Sequence, residues 1–240
     1  MQRMFLFALV VLVILVPAPS SMATSPKESS RVLILSSVEG QYPMQYLDEM
    51  TAELKEVGYS VTVVRGTAIT VSFITTQLDK YDIVIWRTDM YVLGNTTYWY
   101  LGEQANQTTS EAYAGQISLR TIDVSNGVFA ISPGFLSNNF GPKSLDNVKL
   151  AILISAMSIT IGHILIRAGV RTTIDFFSPL NAPLSLFDWV TESLVDYLTT
   201  GSTVSDAVAK TLYNYDFGNT PDDSYLPPIS FLGDGSLQIV

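Results

Sequence analysis

An aspartate closes one of the most apolar stretches of the chain. In "YDIVIWRTDMYV" (81–92) the apolar run breaks at Thr88-Asp89, so a buried strand ending there delivers the Asp89 carboxylate to the rim of a sheet. Other side chains equipped for chemistry are few. "ISAMS" (154–158) places Ser155 and Ser158 at the end of a second apolar run, and His163 is the single histidine. There is no cysteine. That inventory excludes a thiol nucleophile, a thiolate metal site and a multi-histidine metal site. A carboxylate such as Asp89 carries no acidic proton at neutral pH unless it is strongly desolvated. A serine hydroxyl such as Ser155 is a weak nucleophile without a base beside it. His163 lies inside "ITIGHILIRAG" (159–169), where a helical pattern points it along the helix rather than up from a strand end. A packed, structural histidine is the expectation there.

The elements that must position these residues alternate. "RVLILS" (31–36), "YSVTVVRG" (59–66), "DIVIWR" (82–87), "VKLAILIS" (148–155) and "VRTTIDF" (170–176) read as strands, short and apolar as buried parallel strands are. "VKLAILIS" is the most apolar and is expected at the centre. "PMQYLDEMTAELKEVG" (43–58) sets Tyr46, Leu47, Met50, Leu54 and Val57 on one helical stripe that ends at Gly58. "SFITTQLDKY" (72–81) and "ITIGHILIRAG" are shorter helices. "PLSLFDWVTESLVDYLTTG" (183–201) and "STVSDAVAKTLYNY" (202–215) are two more, the second with Ser202 as its N-cap. The tail "PPISFLGDGSLQIV" (227–240) supplies a sixth strand and a last extended piece. Strands separated by helices predict an α/β domain with a mainly parallel sheet and helices on both faces. In such sheets chemistry sits at the carboxyl ends of the strands. That singles out residues 37–42, 88–93, 156–160 and 178–182.

Residues 91–147 break the rhythm and read as an insertion over the sheet edge. "QISLRTIDVSNGVFAIS" (116–132) alternates around an Asn126-Gly127 turn signal and predicts a β-hairpin. Residues 91–116 are expected as an exposed loop. Within them "TTYWYLGEQ" (96–104) clusters Tyr98, Trp99 and Tyr100, as a carbohydrate or peptide platform or as the patch that anchors the insertion. Asn95-Thr96-Thr97 and Asn106-Gln107-Thr108 are sequons, so Asn95 and Asn106 are candidate glycosylation sites.

At the N-terminus Arg3 is the only charge before Lys27, and residues 5–16 form an unbroken apolar run of 12 that Pro17 and Pro19 stop. Ser21-Met22-Ala23 offers the small residues a signal peptidase reads. The run is shorter than the about 20 residues of a membrane span. Residues 1–23 therefore read as a signal peptide cut between Ala23 and Thr24, 24–30 as a polar linker, and 31–240 as the α/β domain. Membrane association follows only if the leader stays uncleaved. The chain has 13 basic and 22 acidic residues; removal of Arg3 leaves 12 against 22, a net charge of −10. Such a surface stays soluble and repels phosphate backbones, which speaks against nucleic acid as a partner.

Several segments, taken in order, carry a resemblance. "RVLILSS", "YLDEMTAELKEVGYSVTVV" and "QLDKYDIVIWRT" resemble the opening of the caspase-like peptidase clan, its gingipain-, clostripain- and CHAT-type branches above all. "ILIRAGVRTTIDFF" is similar to their helix and strand after the fourth strand. "VTESLVDYLTTGSTVSDAVAKTL" is similar to their long helix, glycine and second helix. "ISFLGDGSLQI" resembles the Leu-Gly-Asp-Pro ending of the gingipain-type branch, with Gly235 in place of the proline. The match covers most of residues 31–240.

The resemblance implies a three-layer caspase-like sandwich, a mainly parallel six-stranded sheet with helices on both faces. Active members of the clan use a histidine just after the third strand and a cysteine just after the fourth. The thiolate attacks, and the imidazole handles the proton on the leaving amine. Carried onto this chain, the histidine position falls at Asp89. The cysteine position falls at Ala156, with Ser155 or Met157 as neighbouring registers. Neither residue type is present. The resemblance thus implies an exported, catalytically inactive peptidase-like domain that binds an unidentified protein, peptide or glycan. No cofactor or metal is implied, and the pocket between Asp89 and Ala156 would be a former active site.

Two other functions stay open. One is a cysteine-free hydrolase with a rewired Ser155/Asp89 site. The other is a flavodoxin-like small-molecule-binding domain, in which "SSVEGQY" (36–42) stands where a phosphate loop would, without its glycines and hydroxyls. "TPDDSY" (220–225) offers carboxylates to a calcium ion or forms a solvated turn. Mass spectrometry of the protein from its native host should find Thr24 at the N-terminus and glycan on Asn95 or Asn106. Intact Met1 in a membrane fraction would make the leader an anchor instead.

Overall fold

The apolar runs become strands in a computed structural model that describes residues 30–38, 45–177, 184–216 and 229–240. The leader with its cut between Ala23 and Thr24, the linker up to residue 29, most of the "SSVEGQY" loop, residues 178–182 and "TPDDSY" lie outside the described residues. In chain order β1 (Arg31–Ser36), α1 (Gln45–Glu56), β2 (Ser60–Arg65), α2 (Val71–Gln77) and β3 (Ile83–Arg87) make the first alternation. Next come β4 (Met90–Leu93), β5 (Thr96–Gln104), α3 (Gln107–Ala112), α4 (Ala114–Ser118), β6 (Ile122–Ser125), β7 (Val128–Ile131) and α5 (Pro133–Asn139). The alternation resumes with β8 (Leu150–Ile154), α6 (Ile159–Ala168) and β9 (Thr172–Phe176), followed by α7 (Leu184–Thr199), α8 (Val204–Asp216) and β10 (Ile229–Gly233).

The protein is mixed α/β with a mainly parallel central sheet. Its strand order is β10-β9-β8-β3-β1-β2, and only β10 runs antiparallel, against β9. Every residue of β3, β8 and β9 is buried. Both faces of these strands are covered, which is why their sequences run continuously apolar instead of alternating. Helix α1 packs on α7 and α7 on α8, while α5 packs on α6 and α6 on β9. None of the described helices is long and apolar enough to cross a membrane.

Three local expectations need correction. Tyr46, Leu47, Met50 and Leu54 are buried on α1 as a stripe, but Val57 is 40% exposed. The helix stops at Glu56, and the turn through Gly58 buries Tyr59 in its stead. The cap of α8 is Thr203, whose Oγ1 accepts the Asp206 amide at 3.2 Å; the Ser202 hydroxyl instead accepts from Lys210 Nζ at 2.9 Å. His163 is exposed on α6 rather than packed, because Ile161, Ile164, Leu165 and Ala168 take the buried face.

The largest correction concerns residues 91–116, which are not a loop. β4 and β5 pair antiparallel and join β7 and β6 in a second sheet of order β4-β5-β7-β6. Tyr98 and Trp99 are buried there. The hairpin around Asn126-Gly127 forms, with both residues at positive φ (54° and 77°), but only over β6 and β7. Residues 116–118 of the expected hairpin belong instead to α4, with no strand beside them to take their amides.

One buried acid lies off the candidate site. Asp175 in β9 is fully buried, with Oδ2 accepting from Thr173 Oγ1 at 2.8 Å and Oδ1 without a hydrogen-bond partner. A Cβ on Gly162 of α6 would fall 2.2 Å from that Oδ1, so only glycine lets the helix settle on the carboxyl. Burial raises its pKa from 3.8 to about 7, against the pull of the Thr173 hydrogen bond. Because the folded pKa lies above the unfolded one, the native state holds the extra proton between these values. The stabilisation is full below pH 3.8 and is lost as pH rises through about 7. Asp175→Asn should flatten the slope of unfolding free energy between pH 4 and 7 seen in urea titrations, a difference of at most about 4 kcal/mol. An unchanged slope would show that the carboxyl titrates normally.

Candidate functional site

The parallel strands of the central sheet all end at one edge, and a buried ion pair organises that edge. Arg87, the last residue of β3, is fully buried. Its Nε and one terminal nitrogen reach the two oxygens of Asp188 on α7 at 2.7 and 2.8 Å. The other terminal nitrogen donates to Ser36 Oγ at 3.3 Å and to the Val38 carbonyl at 3.1 Å. The guanidinium also lies 5.5 Å from the ring centroid of Tyr46 on α1. Burial pushes the Asp188 carboxyl above its ordinary value, and the paired guanidinium works against that push. Tyr46 is raised well above its ordinary value, first by burial and then by the nearby Asp188 charge, although no hydrogen bond of ordinary geometry ties its hydroxyl down.

Beyond Arg87 the ladder continues for one step. Ser37 N donates to the Arg87 carbonyl and Thr88 N to the Ile154 carbonyl, both at 3.0 Å. The chain then crosses to the second sheet. Thr88 Oγ1 donates to the Tyr100 carbonyl at 2.6 Å, and Tyr100 N donates to the Asp89 carbonyl at 3.0 Å. The Asp89 backbone is thus clamped while its side chain stays exposed, with Oδ1 accepting from Met90 N at 2.8 Å.

Asp89 lines a pocket of about 510 Å³ between the two sheets. The side chains of Ser37, Thr67, Asp89, Tyr100, Gln104 and Asn126 border it, over the backbone of Gly66 and Gly102. That backbone pair is very close: a Cβ on Gly102 would fall 1.6 Å from the Gly66 carbonyl oxygen. Here β5 is irregular, its register against β7 shifting between Tyr100 and Gln104, and Gly102 N donates to the Ile69 carbonyl at 3.1 Å. Glu103 adds a further tie, accepting from Val71 N at 2.8 Å and from the Tyr113 hydroxyl at 3.3 Å.

The other sequence candidates are placed apart from this pocket. Ala156 follows β8, the neighbour of β3, two residues past the pairing of Arg87 with Ile154. It is 7% exposed and is not among the residues that line the pocket beside Asp89, which lies on the β1–β2 side. Ser155 is 1% exposed, and its hydroxyl donates to the Ala156 carbonyl at 3.4 Å. Met157 passes through φ 52°, and Ser158 binds the turn to β9, accepting from Phe176 N at 2.8 Å. His163 does not border the pocket. Among the described residues no group of three or more acidic or histidine side chains is placed to hold a metal ion.

Asn95, in the β4–β5 turn, and Asn106 are exposed. Asn106 caps α3 with its oxygen, which accepts from Thr109 N at 3.0 Å, not with the nitrogen that carries a glycan.

Sequence reasoning missed the Arg87–Asp188 pair and the Gly66–Gly102 contact. Both left a signal. An arginine at the end of an all-apolar run needs a buried partner, and a glycine inside an aromatic strand marks a bulge or a close backbone approach.

No family model matches the chain, and no curated protein matches it. Among solved structures it is similar to a Streptococcus pneumonia TIGR4 flavodoxin, with 13% sequence identity over 58% of this chain and 77% of that one. The TM-score is 0.29, and a likeness that distant carries no argument about ligand or function.

The ion pair gives a direct test of the edge. Arg87→Ala leaves Asp188 buried without its partner and should cost about 3–5 kcal/mol in urea unfolding. Arg87→Met combined with Asp188→Leu should recover most of that loss. Equal damage in the double variant would mean that the pair is not the coupling element.

Proposed function

We propose that the chain is an exported, non-catalytic binding module with the three-layer, six-stranded architecture of the caspase-like peptidases. In this reading the edge where the dyad would stand serves as a recognition surface for a protein, peptide or glycan. One observation carries it. β3 and β8 are parallel neighbours, so Asp89 and Ala156, the positions that the resemblance assigns to histidine and cysteine, share one edge of the sheet. One position offers an exposed carboxylate and the other a buried methyl group. Neither can attack a carbonyl, and neither can hand a proton to a leaving amine at neutral pH.

Further support comes from the surroundings. Ser155 is sealed from solvent, and the lone imidazole of His163 stands on another surface. That weakens the rewired hydrolase as a competitor. The pocket beside Asp89 is open and rimmed by neutral polar groups, as a binding surface requires. Export follows from the leader, and with it a place outside the cytoplasm or on the cell surface.

The test is turnover. The mature protein, Asp89→Ala and Ser155→Ala should all leave a broad peptide library uncut, because nucleophilic and general acid–base catalysis each contribute orders of magnitude to rate. Specific cleavage by the parent that disappears in either variant would establish a rewired hydrolase and overturn the binding reading.

A further inference from the structure

The pocket between the two sheets has a composition that selects among ligand classes. Its bordering residues include no lysine, arginine or histidine and one carboxylate, Asp89. An anionic ligand would meet no counter-charge there and would approach a chain of net charge −9. An apolar ligand fares no better. Of the four apolar residues at the wall, Met90 and Leu101 are already buried, and six polar side chains surround the opening. A cation would find a single carboxylate, Asp89, one of whose oxygens already accepts from the Met90 amide, and would leave the N–H and O–H donors around it without a role.

A neutral polyol uses all of them. Sugar hydroxyls both donate and accept. They match a carboxylate that accepts, the Gln104 and Asn126 amides that do both, and the Thr67 hydroxyl. Tyr100 supplies a fixed flat ring. Its hydroxyl shares a 3.0 Å hydrogen bond with Ser125 Oγ and accepts from Asn126 Nδ2 at 3.3 Å, and its ring sits 5.0 Å from that of Tyr91. Tyr91 is in turn stacked on Tyr98 at 5.4 Å and donates to Asp123 at 2.7 Å. A ring held this firmly needs no ordering to receive the apolar face of a pyranose. The floor is equally rigid, since backbone meets backbone at Gly66 and Gly102. The volume of about 510 Å³ falls within the range of small-molecule sites.

We infer that this pocket binds a neutral saccharide, one or two units of a glycan, with Asp89, Gln104 and Asn126 holding its hydroxyls and Tyr100 supporting its ring. The inference rests on the binding-module reading and narrows its ligand.

The experiment titrates the mature protein with lactose, maltose, cellobiose and chitobiose by two-dimensional amide NMR, with the amide of Nα-acetyl-lysine as a cationic probe. At least one disaccharide should bind saturably with a millimolar or tighter Kd that does not change when salt is raised. Gln104→Ala and Asp89→Asn should each weaken it about tenfold while near-UV circular dichroism and Tm stay at the parent values. Gly115→Ala, on α4 away from the pocket with open space around it, should change nothing. Saturable binding of the lysine derivative alone, lost on salt addition and in Asp89→Asn, would overturn the saccharide and leave the binding module standing. No binding of any disaccharide by the folded parent also overturns it. Hydrolysis of a disaccharide that depends on Asp89 would overturn both.

Discussion

A guanidinium sealed at the end of an apolar strand is tolerable only with a partner that satisfies it, and Asp188 does so on two nitrogens at once. Losing either member would strand a charge in a water-free place, a far larger penalty than the net worth of the pair. The pair also joins parts of the chain that are distant in sequence. Arg87 ends β3, Asp188 belongs to α7, and the remaining guanidinium donors fix Ser36 and Val38 at the end of β1. Tyr46 brings α1 to the same point. The direction in which the chain leaves β3, and with it the place of Asp89, depends on this knot.

The second sheet depends on that direction. Thr88 and Asp89 exchange hydrogen bonds with Tyr100 immediately after the buried arginine, so backbone carbonyls and an amide tie β5 to the end of β3. Glycine at position 102 then lets β5 meet the backbone of Gly66 where a side chain would hold the two apart. Trp99 and Leu101 join the main core, while Tyr98 and Tyr100 pack on Tyr91 on the other face. One strand thereby serves two purposes, anchoring the small sheet with alternate residues and walling a pocket with the others.

Much of the central sheet was legible because its signals are local. Runs such as "LAILI" and "TTIDF" are buried on both faces and carry no alternation to misread. The α1 stripe was also legible up to the point where the helix stops, and Val57 was misplaced because a helical pattern does not mark its own last residue. The small sheet was only half visible. Asn126-Gly127 announces a turn, but β4 and β5 look like a polar loop because one of their faces meets solvent and Thr and Asn crowd the turn between them. The site was legible as an edge and not as a pocket. Asp89 was picked out by its position after β3, whereas its neighbours across the pocket, Gln104 at the end of β5 and Asn126 in the β6–β7 turn, are brought there by a strand pairing that no short pattern encodes.

The register of the small sheet bears on how the chain reaches its native state. Met90, where the chain enters that sheet, pairs with Trp99, and Trp99 pairs with Ile131, where the chain leaves its last strand. Entry and exit therefore stand on either side of one residue, about 10 Å apart at ordinary strand spacing. As an open coil, the 62 residues between Arg87 and Leu150 would oppose the pairing of β3 with β8 by a closure entropy of about 4 kcal/mol beyond the fixed cost. The small sheet, built from the hairpins β4–β5 and β6–β7, gathers the stretch from Met90 to Ile131 into a staple whose ends are already close together. The most distant pairing in the parallel core then becomes, for the folding chain, a nearly local one.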